Sequence, residues 1–469
     1  MDDRDLPVIS LHLIEGASMK AGQTNLLIVQ VSALGQEPVY SAKVKLQESE
    51  QYDISSLNPV VVEGLDECPQ KATFIVRPER LGEVTLNFTV GDKVRTLYAI
   101  SQMENPYIYG EPVRSDRMFF GRAAERSEIL RGVTKENTQD YLITGARRSG
   151  KTSLLYQIKL RLEFPFVALL LTPESIGHQH HEVFRGLLVR LRDQVLETIG
   201  VELPQIDWYI ANANSETPID MFNYHLEKDL RRTLADLAAI SSQARVVLLM
   251  DEATFLLAEA LETGEEACDS RQEFLRHLLQ TFDRFACVLA GTPQILSMTS
   301  VTSPLYNLFS GIKLRGLSSQ ETEELIREPA RSVGVDFEEE AVDRIIELGG
   351  CSPYYTQALC GLSLESANED QRQVVVAIDV QRAAGAILDT LECGLQSVWE
   401  ALQPSEQEIL ATMAKGPMVA DRRNRDTISG LVDMNLAQTV VRDPNTPAEK
   451  TYASIRAKLD ERWLQRRGS

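Results

Sequence analysis

The sequence predicts a multidomain chain: an all-β sandwich, then an α/β core with a helical lid, then a winged helix-turn-helix module. Three observations carry that prediction. Residues 6–100 hold half a dozen short alternating or β-branched runs and no helix-period segment, as in a sandwich. From residue 140 to about 316, buried-strand runs alternate with helical ones around a single glycine turn, Gly145-Ala146-Arg147-Arg148-Ser149-Gly150-Lys151-Thr152. From about residue 396 the order is helix, helix, then a short β-rich end, the order of a winged helix. At 469 residues the chain has room for about three domains of ~150 residues, each with a core of its own.

In the first part the runs cover residues 8–14, 25–32, 42–47, 72–77, 83–90 and 93–100. Turn signals separate them at Gly22-Gln23, Gly35-Gln36 and Gly91-Asp92. Their size and rhythm suggest an immunoglobulin-like module over residues 1–100. No set of catalytic side chains stands out in it, so a packing or docking role is expected.

Residues 101–117, with Asn105-Pro106-Tyr107-Ile108-Tyr109-Gly110-Glu111-Pro112, read as an ordered linker. The core, residues 118–316, opens on Phe119-Phe120-Gly121-Arg122, a turn leading into a helix with acidic residues in its first turns. About 25 residues later the glycine turn fits G-x-x-x-x-G-K-[ST] without a mismatch. It also has the required neighbours: the apolar run Tyr141-Leu142-Ile143-Thr144 before it and the helical Ser153-Leu154-Leu155 after it. In such a loop successive N–H groups converge on a β-phosphate and the helix N-terminus adds partial positive charge. Lys151 would face the β/γ-phosphates, and Thr152 would offer a hydroxyl to Mg²⁺. This part is therefore predicted to be a P-loop NTPase that binds ATP or ADP.

The apolar run at 166–171 reads as a buried parallel strand, followed by helices over 181–199 and 219–240. Val246-Val247-Leu248-Leu249-Met250 then delivers Asp251 and Glu252 at a strand's C-terminal edge, where open α/β sheets bind ligands. Asp251 is expected to hold the metal with Thr152, and Glu252 to orient or deprotonate the attacking water. The strand at 285–291 ends at Thr292, which either senses the γ-phosphate or opens the next turn with Pro293. Lys151, Asp251, Glu252 and Thr292 are the candidate catalytic residues. His178-Gln179-His180-His181 reads as a solvated loop before a helix rather than a metal site, because no cysteine lies nearby. The acidic run 259–269 reads as an exposed helix face and connector.

Residues 317–392 form the predicted lid. A serine cap precedes Gln320-Glu321-Thr322, and the turn Gly349-Gly350-Cys351-Ser352-Pro353-Tyr354 would bring backbone and ring close to the base. Residues 393–469 form the predicted winged helix, with helices at 404–413 and 427–434, further elements at 437–442 and 452–467, and a hairpin at Asp443-Pro444-Asn445.

Composition narrows the function. A net charge of −20 argues against a whole-surface nucleic-acid binder, although residues 415–469 are mildly basic. Six scattered cysteines without a C-x-x-C pattern suggest reduced intracellular thiols. The acidic N-terminus has no signal-peptide pattern and no run is long enough to span a bilayer, so a soluble cytoplasmic protein with no membrane partner is expected.

Taken together, these residues resemble the STAND ATPases, the AAA+-related signal-transduction group allied to the origin-recognition ATPases, from Asn105 to about Arg467. Phe120-Gly121-Arg122 with Glu125 is similar to that group's adenine-side entry motif. Gly145 to Thr152 with Ser153 is similar to its phosphate loop, including the paired Arg147 and Arg148. Asp251-Glu252, Ala290-Gly291-Thr292 and the Pro353 turn resemble its metal-and-water strand, sensor strand and lid turn. The resemblance implies a nucleotide-dependent switch: a closed ADP form, and an open ATP form that oligomerises or engages a partner. No arginine finger or second sensor stands out; Arg315, Arg327 and Arg331 are the candidates. Thr292 stands where many relatives carry Asn or Arg, so hydrolysis is expected to be slow or to depend on a neighbour.

The leading expectation is a regulatory ATPase acting through a partner protein at the β-sandwich or winged helix, with a bacterial defence or signalling system as the expected setting. An alternative is a winged-helix DNA-binding loader or regulator using Arg422, Arg423, Arg425, Arg462, Arg466 and Arg467 on phosphates. A third is a nucleotide-binding scaffold without turnover.

Overall fold

The structure is a computed structural model describing residues 8–34, 39–173, 179–257, 265–390, 396, 398–400, 402–434, 436–442 and 450–467. The turn at Gly35-Gln36, His178, the start of the acidic run and the hairpin turn at Asp443-Pro444-Asn445 lie outside the described residues. The chain divides into two compact units. One is Met1–Tyr107 with Ile326–Ile345 and Ala358–Ile387; the other is Ile108–Leu325 with Ile346–Gln357 and Leu388–Ser469.

In the first unit nine strands form two sheets: β1 (Val8–Glu15), β2 (Ser18–Lys20), β3 (Asn25–Leu34), β4 (Ser41–Leu46), β5 (Tyr52–Ile54), β6 (Val60–Glu63), β7 (Gln70–Pro78), β8 (Gly82–Val90) and β9 (Lys93–Gln102). Their orders are β1-β3-β7-β5 and β2-β9-β8-β4-β6. Period-two alternation sets which side chains go inward. In β8, Val84, Leu86 and Phe88 point in, and Phe88 meets Phe74 of the other sheet with ring centroids 5.5 Å apart. The strands β2, β5 and β6 were not foreseen, being too short to display an alternation. Past the sandwich, Met103 and the Asn368 amide exchange two hydrogen bonds (2.7 and 3.2 Å), and the Tyr107 hydroxyl donates to the Ile326 carbonyl. A two-stranded parallel pair, Asp336–Phe337 with Val374–Val375, lies in the same unit, as does most of helix Ala377–Thr390.

In the second unit, helix α1 (Ala123–Val133) leads to strand β10 (Asp140–Gly145) and helix α2 (Lys151–Arg161). Strand β11 (Phe166–Leu171), helices α3 (His180–Ile199), α4 (Trp208–Ala211) and α5 (Ile219–Ile240), and strand β12 (Arg245–Met250) follow. Helices α6 (Ala253–Leu257) and α7 (Glu265–Thr281), then strands β13 (Phe285–Gly291) and β14 (Phe309–Leu314), close the series. The sheet is wholly parallel in the order β11-β12-β13-β10-β14. Both faces are covered, which is why the strands read as continuous apolar runs. Leu248, Cys287 and Leu289 meet α3, α5 and α7 on one face; Val247, Leu249, Val288 and Ala290 meet α1 and α2 on the other. The chain leaves β10 for the far edge, so the order reverses beside β10 and opens a crevice at the strands' C-terminal ends.

One expectation is overturned here. His180 is not part of a solvated loop: α3 begins there, one residue ahead of the predicted start at His181, and the His180 ring is buried against Phe184, Phe222 and Phe274. Its Nε2 lies 2.7 Å from Asn223 Oδ1, and burial holds the imidazole pKa below its ordinary value. The cause was legible, since Gln179 and Glu182 form a capping box, the Gln179 N–H donating to Glu182 Oε2 at 3.0 Å.

The C-terminal stretch of this unit has its own core of Leu410, Met413, Ile428, Leu431, Ala453 and Ile455. Helix Pro404–Met413 starts at a proline in its first turn, with the Gln403 N–H capped by Glu406 at 2.8 Å. Helix Arg425–Asp433 follows, then antiparallel strands Ala437–Arg442 and Lys450–Ile455, the latter also pairing with Met418–Val419. Residues 452–467 are not all β-rich: the last strand gives way to helix Lys458–Arg467. Among the described residues, no helix is long and apolar enough to cross a membrane.

Candidate functional site

The glycine turn bends where β10 ends. A Cβ at Gly145 would lie 2.7 Å from Ser149 Oγ and 2.9 Å from the Leu314 carbonyl oxygen, so no other residue fits. Left-handed backbone at Arg148 (φ +62°) and Gly150 (φ +93°) then wraps the loop onto the start of α2. Gly150 is the N-cap, and the unpaired N–H groups of the first turn and their partial positive charge make this end an anion site. Lys151 is buried, and its Nζ donates to the carbonyls of Gly145 (3.0 Å) and Ala146 (2.8 Å). Burial lowers its pKa; the carboxylates of Glu252 and Asp251 oppose that shift. Ser149 Oγ is buried without a hydrogen-bond partner.

Strand β12 delivers the carboxylates beside this loop. Thr152 Oγ1 donates to Asp251 Oδ2 at 2.7 Å, while Asp251 Oδ1 is buried with no partner. A hydroxyl and an orphaned carboxylate oxygen side by side are a donor set that suits a hard, oxygen-seeking cation such as Mg²⁺. Glu252 sits at φ +44°, a conformation that costs a non-glycine residue on the order of 1–2 kcal/mol and points to a constrained site. Ala146, Arg147, Arg148, Ser149, Glu252, Thr292 and Arg315 line one cavity of about 430 Å³.

The remaining expected residues divide between this cavity and the structure that supports it. Pro353 lines it, with Gly349, Ser352, Tyr354 and Tyr355 of the same turn. Ser153 Oγ accepts the Val113 N–H at 3.0 Å and so anchors the preceding linker. Phe120, Gly121 and Arg122 are not among the cavity's lining residues. Phe120 packs with Leu317, Leu325 and Cys351. The Arg122 guanidinium donates to Glu125 Oε1 (3.2 Å) and to the Arg315 carbonyl, while the Arg122 N–H donates to Glu321 Oε1 at 3.3 Å. Arg122 thus braces the backbone of a cavity residue. Of the three arginines considered as fingers, only Arg315 lines the cavity. In the other unit, Arg327 bonds the Phe337 carbonyl and Glu339, and Arg331 pairs with Glu328.

Sequence reasoning missed the far wall. Trp399, Leu402, Leu410, Met434 and Trp463 of the C-terminal stretch face the same space. Asp433 meets Lys313 at 2.8 Å and Arg315 at 3.7 Å. The Tyr355 hydroxyl donates to Asp460 at 2.8 Å, and Arg456 Nε to the Gly350 carbonyl at 2.8 Å. No local pattern announces pairs about a hundred positions apart.

No curated protein matches the sequence. Among solved structures, the Aeropyrum pernix ORC2 protein is similar at 14% identity and TM-score 0.45, over 78% of this chain and 97% of that one. The Aeropyrum pernix ORC1 protein in complex with DNA is similar at 13% identity and TM-score 0.40, over 74% and 93%. The Thermotoga maritima RuvB Holliday junction branch migration motor is similar at 16% identity and TM-score 0.38, over 70% and 92%. The family model described as Novel STAND NTPase 1 matches residues 112–442. That span is more than half of the chain and takes in the glycine loop, the paired carboxylates and the lid turn, so the chain belongs to the Novel STAND NTPase 1 family.

Proposed function

We propose that this protein is an ATP-hydrolysing regulatory switch whose nucleotide state sets the arrangement of its lid turn and C-terminal module. The observation that carries the reading is Thr152, the residue after Lys151, with its Oγ1 on Asp251 Oδ2 while Asp251 Oδ1 is buried without a partner. The loop N–H groups and Lys151 would hold the β- and γ-phosphates. Thr152 and Asp251 would hold Mg²⁺, which when bound neutralises charge on the phosphoryl oxygens. Glu252 accepts a proton from the attacking water as its oxygen bonds to the γ-phosphorus and the bond to the ADP oxygen breaks. ADP and inorganic phosphate leave. Thr292, just past the end of β13, would contact the γ-phosphate, and Pro353 the base; both line the cavity.

We take the N-terminal sandwich as an immunoglobulin-like docking module for a partner protein. The C-terminal module runs helix, short strand, helix, two longer strands that complete an antiparallel sheet with the first, and a last helix, and is read as a winged helix. Arg422, Arg423 and Arg425, exposed ahead of and at the start of helix Arg425–Asp433, favour a second reading in which this module meets DNA phosphates. The test of the first reading is phosphate release from Mg·ATP by the wild type and Glu252→Gln. The variant should bind ATP but release phosphate at least ~100-fold more slowly; equal rates would refute the assignment of Glu252.

A further inference from the structure

Two consecutive residues of the lid turn reach different neighbours. The Tyr354 ring lies beneath the Arg148 guanidinium, whose central carbon is 4.0 Å from the ring centroid. The Tyr355 hydroxyl donates to Asp460 in helix Lys458–Arg467 at 2.8 Å. The turn touches the C-terminal stretch twice more. Arg456 Nε donates to the Gly350 carbonyl at 2.8 Å, and a Cβ at Gly350 would come within 2.9 Å of Ala457 Cα. Arg148 belongs to the glycine loop and lines the cavity beside Ser149 and Glu252. A single dipeptide thus joins the phosphate end of the cavity to the last helix.

From this geometry we infer that Tyr354-Tyr355 is a relay reporting the γ-phosphate to the C-terminal helix. The inference rests on the nucleotide-switch reading and adds its transmission route. A guanidinium makes paired, charge-assisted hydrogen bonds to phosphate oxygens, a stronger attachment than its rest on a half-exposed ring. A triphosphate therefore draws Arg148 off Tyr354, whereas a diphosphate, one anionic group shorter, leaves it stacked. With its ring uncovered, Tyr354 moves, and the neighbouring Tyr355 hydroxyl loses its alignment on Asp460. Tyr354 acts through Arg148 and is a positioning residue.

Hydrogen exchange of residues 458–467 in the full chain tests this, with ADP or a non-hydrolysable ATP analogue, both with Mg²⁺, and binding followed in parallel by a fluorescent nucleotide. In the wild type, exchange should be about tenfold faster with the triphosphate than with the diphosphate. Tyr354→Phe, which keeps the ring face, should keep that ratio. Tyr354→Leu should bring it to about one while the helix stays protected, and Tyr355→Phe, which removes the hydroxyl bonded to Asp460, should speed exchange in every state. A wild-type ratio in Tyr354→Leu, or its loss in Tyr354→Phe, overturns the relay and leaves the nucleotide reading standing. Failure of the wild type to bind either nucleotide overturns both.

Discussion

Lys151→Met separates ligand binding from folding more cleanly than any other substitution. In the free protein the buried ammonium donates, among the described residues, to two loop carbonyls, and Ala146 O also receives the Ser149 N–H at 3.3 Å. Its folded pKa lies below the unfolded one, so the charged side chain costs stability at neutral pH, a cost relieved only as pH rises through the folded pKa. An apolar side chain of similar length should therefore leave the free protein's stability within about 1 kcal/mol of wild type, or raise it. Binding is the opposite case. Two charge-assisted contacts to phosphate, at ~1.5–3 kcal/mol each, amount to about 3–6 kcal/mol and a Kd weakened roughly 10²- to 10⁴-fold. Thermal melts with and without Mg·ATP show both effects together. At a thousandfold excess over the wild-type Kd, ligand stabilises the wild type by about 4 kcal/mol, and at the same concentration the variant should gain no more than about 1.4 kcal/mol, falling to almost none at the upper end of that weakening. A variant destabilised by more than about 3 kcal/mol when free, or one that still gains the full ATP stabilisation, would refute the reasoning.

Two further substitutions test other parts of the structure. Gly350→Ala forces an L side chain to φ +56° against the Ala457 backbone, whereas Gly200→Ala meets φ +67° with nothing nearby. Both should cost ~1–2 kcal/mol for the backbone, and only the first should also loosen residues 450–467 in hydrogen exchange; equal exchange in the two would deny that the lid turn packs there. The Asp140 carboxylate, desolvated while accepting the Cys287 N–H at 2.7 Å, has its pKa pushed up to about 6. A raised acid pKa means that the folded state holds the proton longer, so stability falls as pH rises from about 4 to about 6. Asp140→Asn should remove roughly 2–3 kcal/mol of that fall, read from urea melts at pH 4, 5, 6 and 7; an unchanged slope would contradict the desolvation.

The readable parts of the sequence were those whose chemistry is local. Gly145 to Thr152 announces its own turn, and the run ending at Asp251-Glu252 announces a buried strand with carboxylates at its tip. The core strands and α5 could be located because burial on both faces or a helical stripe leaves a period in the sequence. Strands such as Tyr52–Ile54 span too few residues for any period, and His180 was misjudged because a polar residue in a helix's first turn looks like loop until its cap is noticed. The far wall of the cavity was illegible for a different reason. Leu410, Met434 and Trp463 are ordinary apolar residues, and only the fold brings them to the phosphate loop. Arg122, expected at the entry to the base, bonds Glu125, and also Glu321 and the Arg315 carbonyl, two partners that no local pattern names.

The central claim is that Thr152 and Asp251 jointly hold the metal of a metal–triphosphate complex, and Mn²⁺ in place of Mg²⁺ measures this directly by paramagnetic resonance. Titrating the wild type into Mn·ATP should convert the narrow signal to a broadened, protein-bound one saturating at one Mn²⁺ per chain, while Asp251→Asn and Thr152→Val should weaken that conversion at least ~10-fold. A bound-metal signal of unchanged affinity and line shape in both variants would place the metal elsewhere and contradict the account.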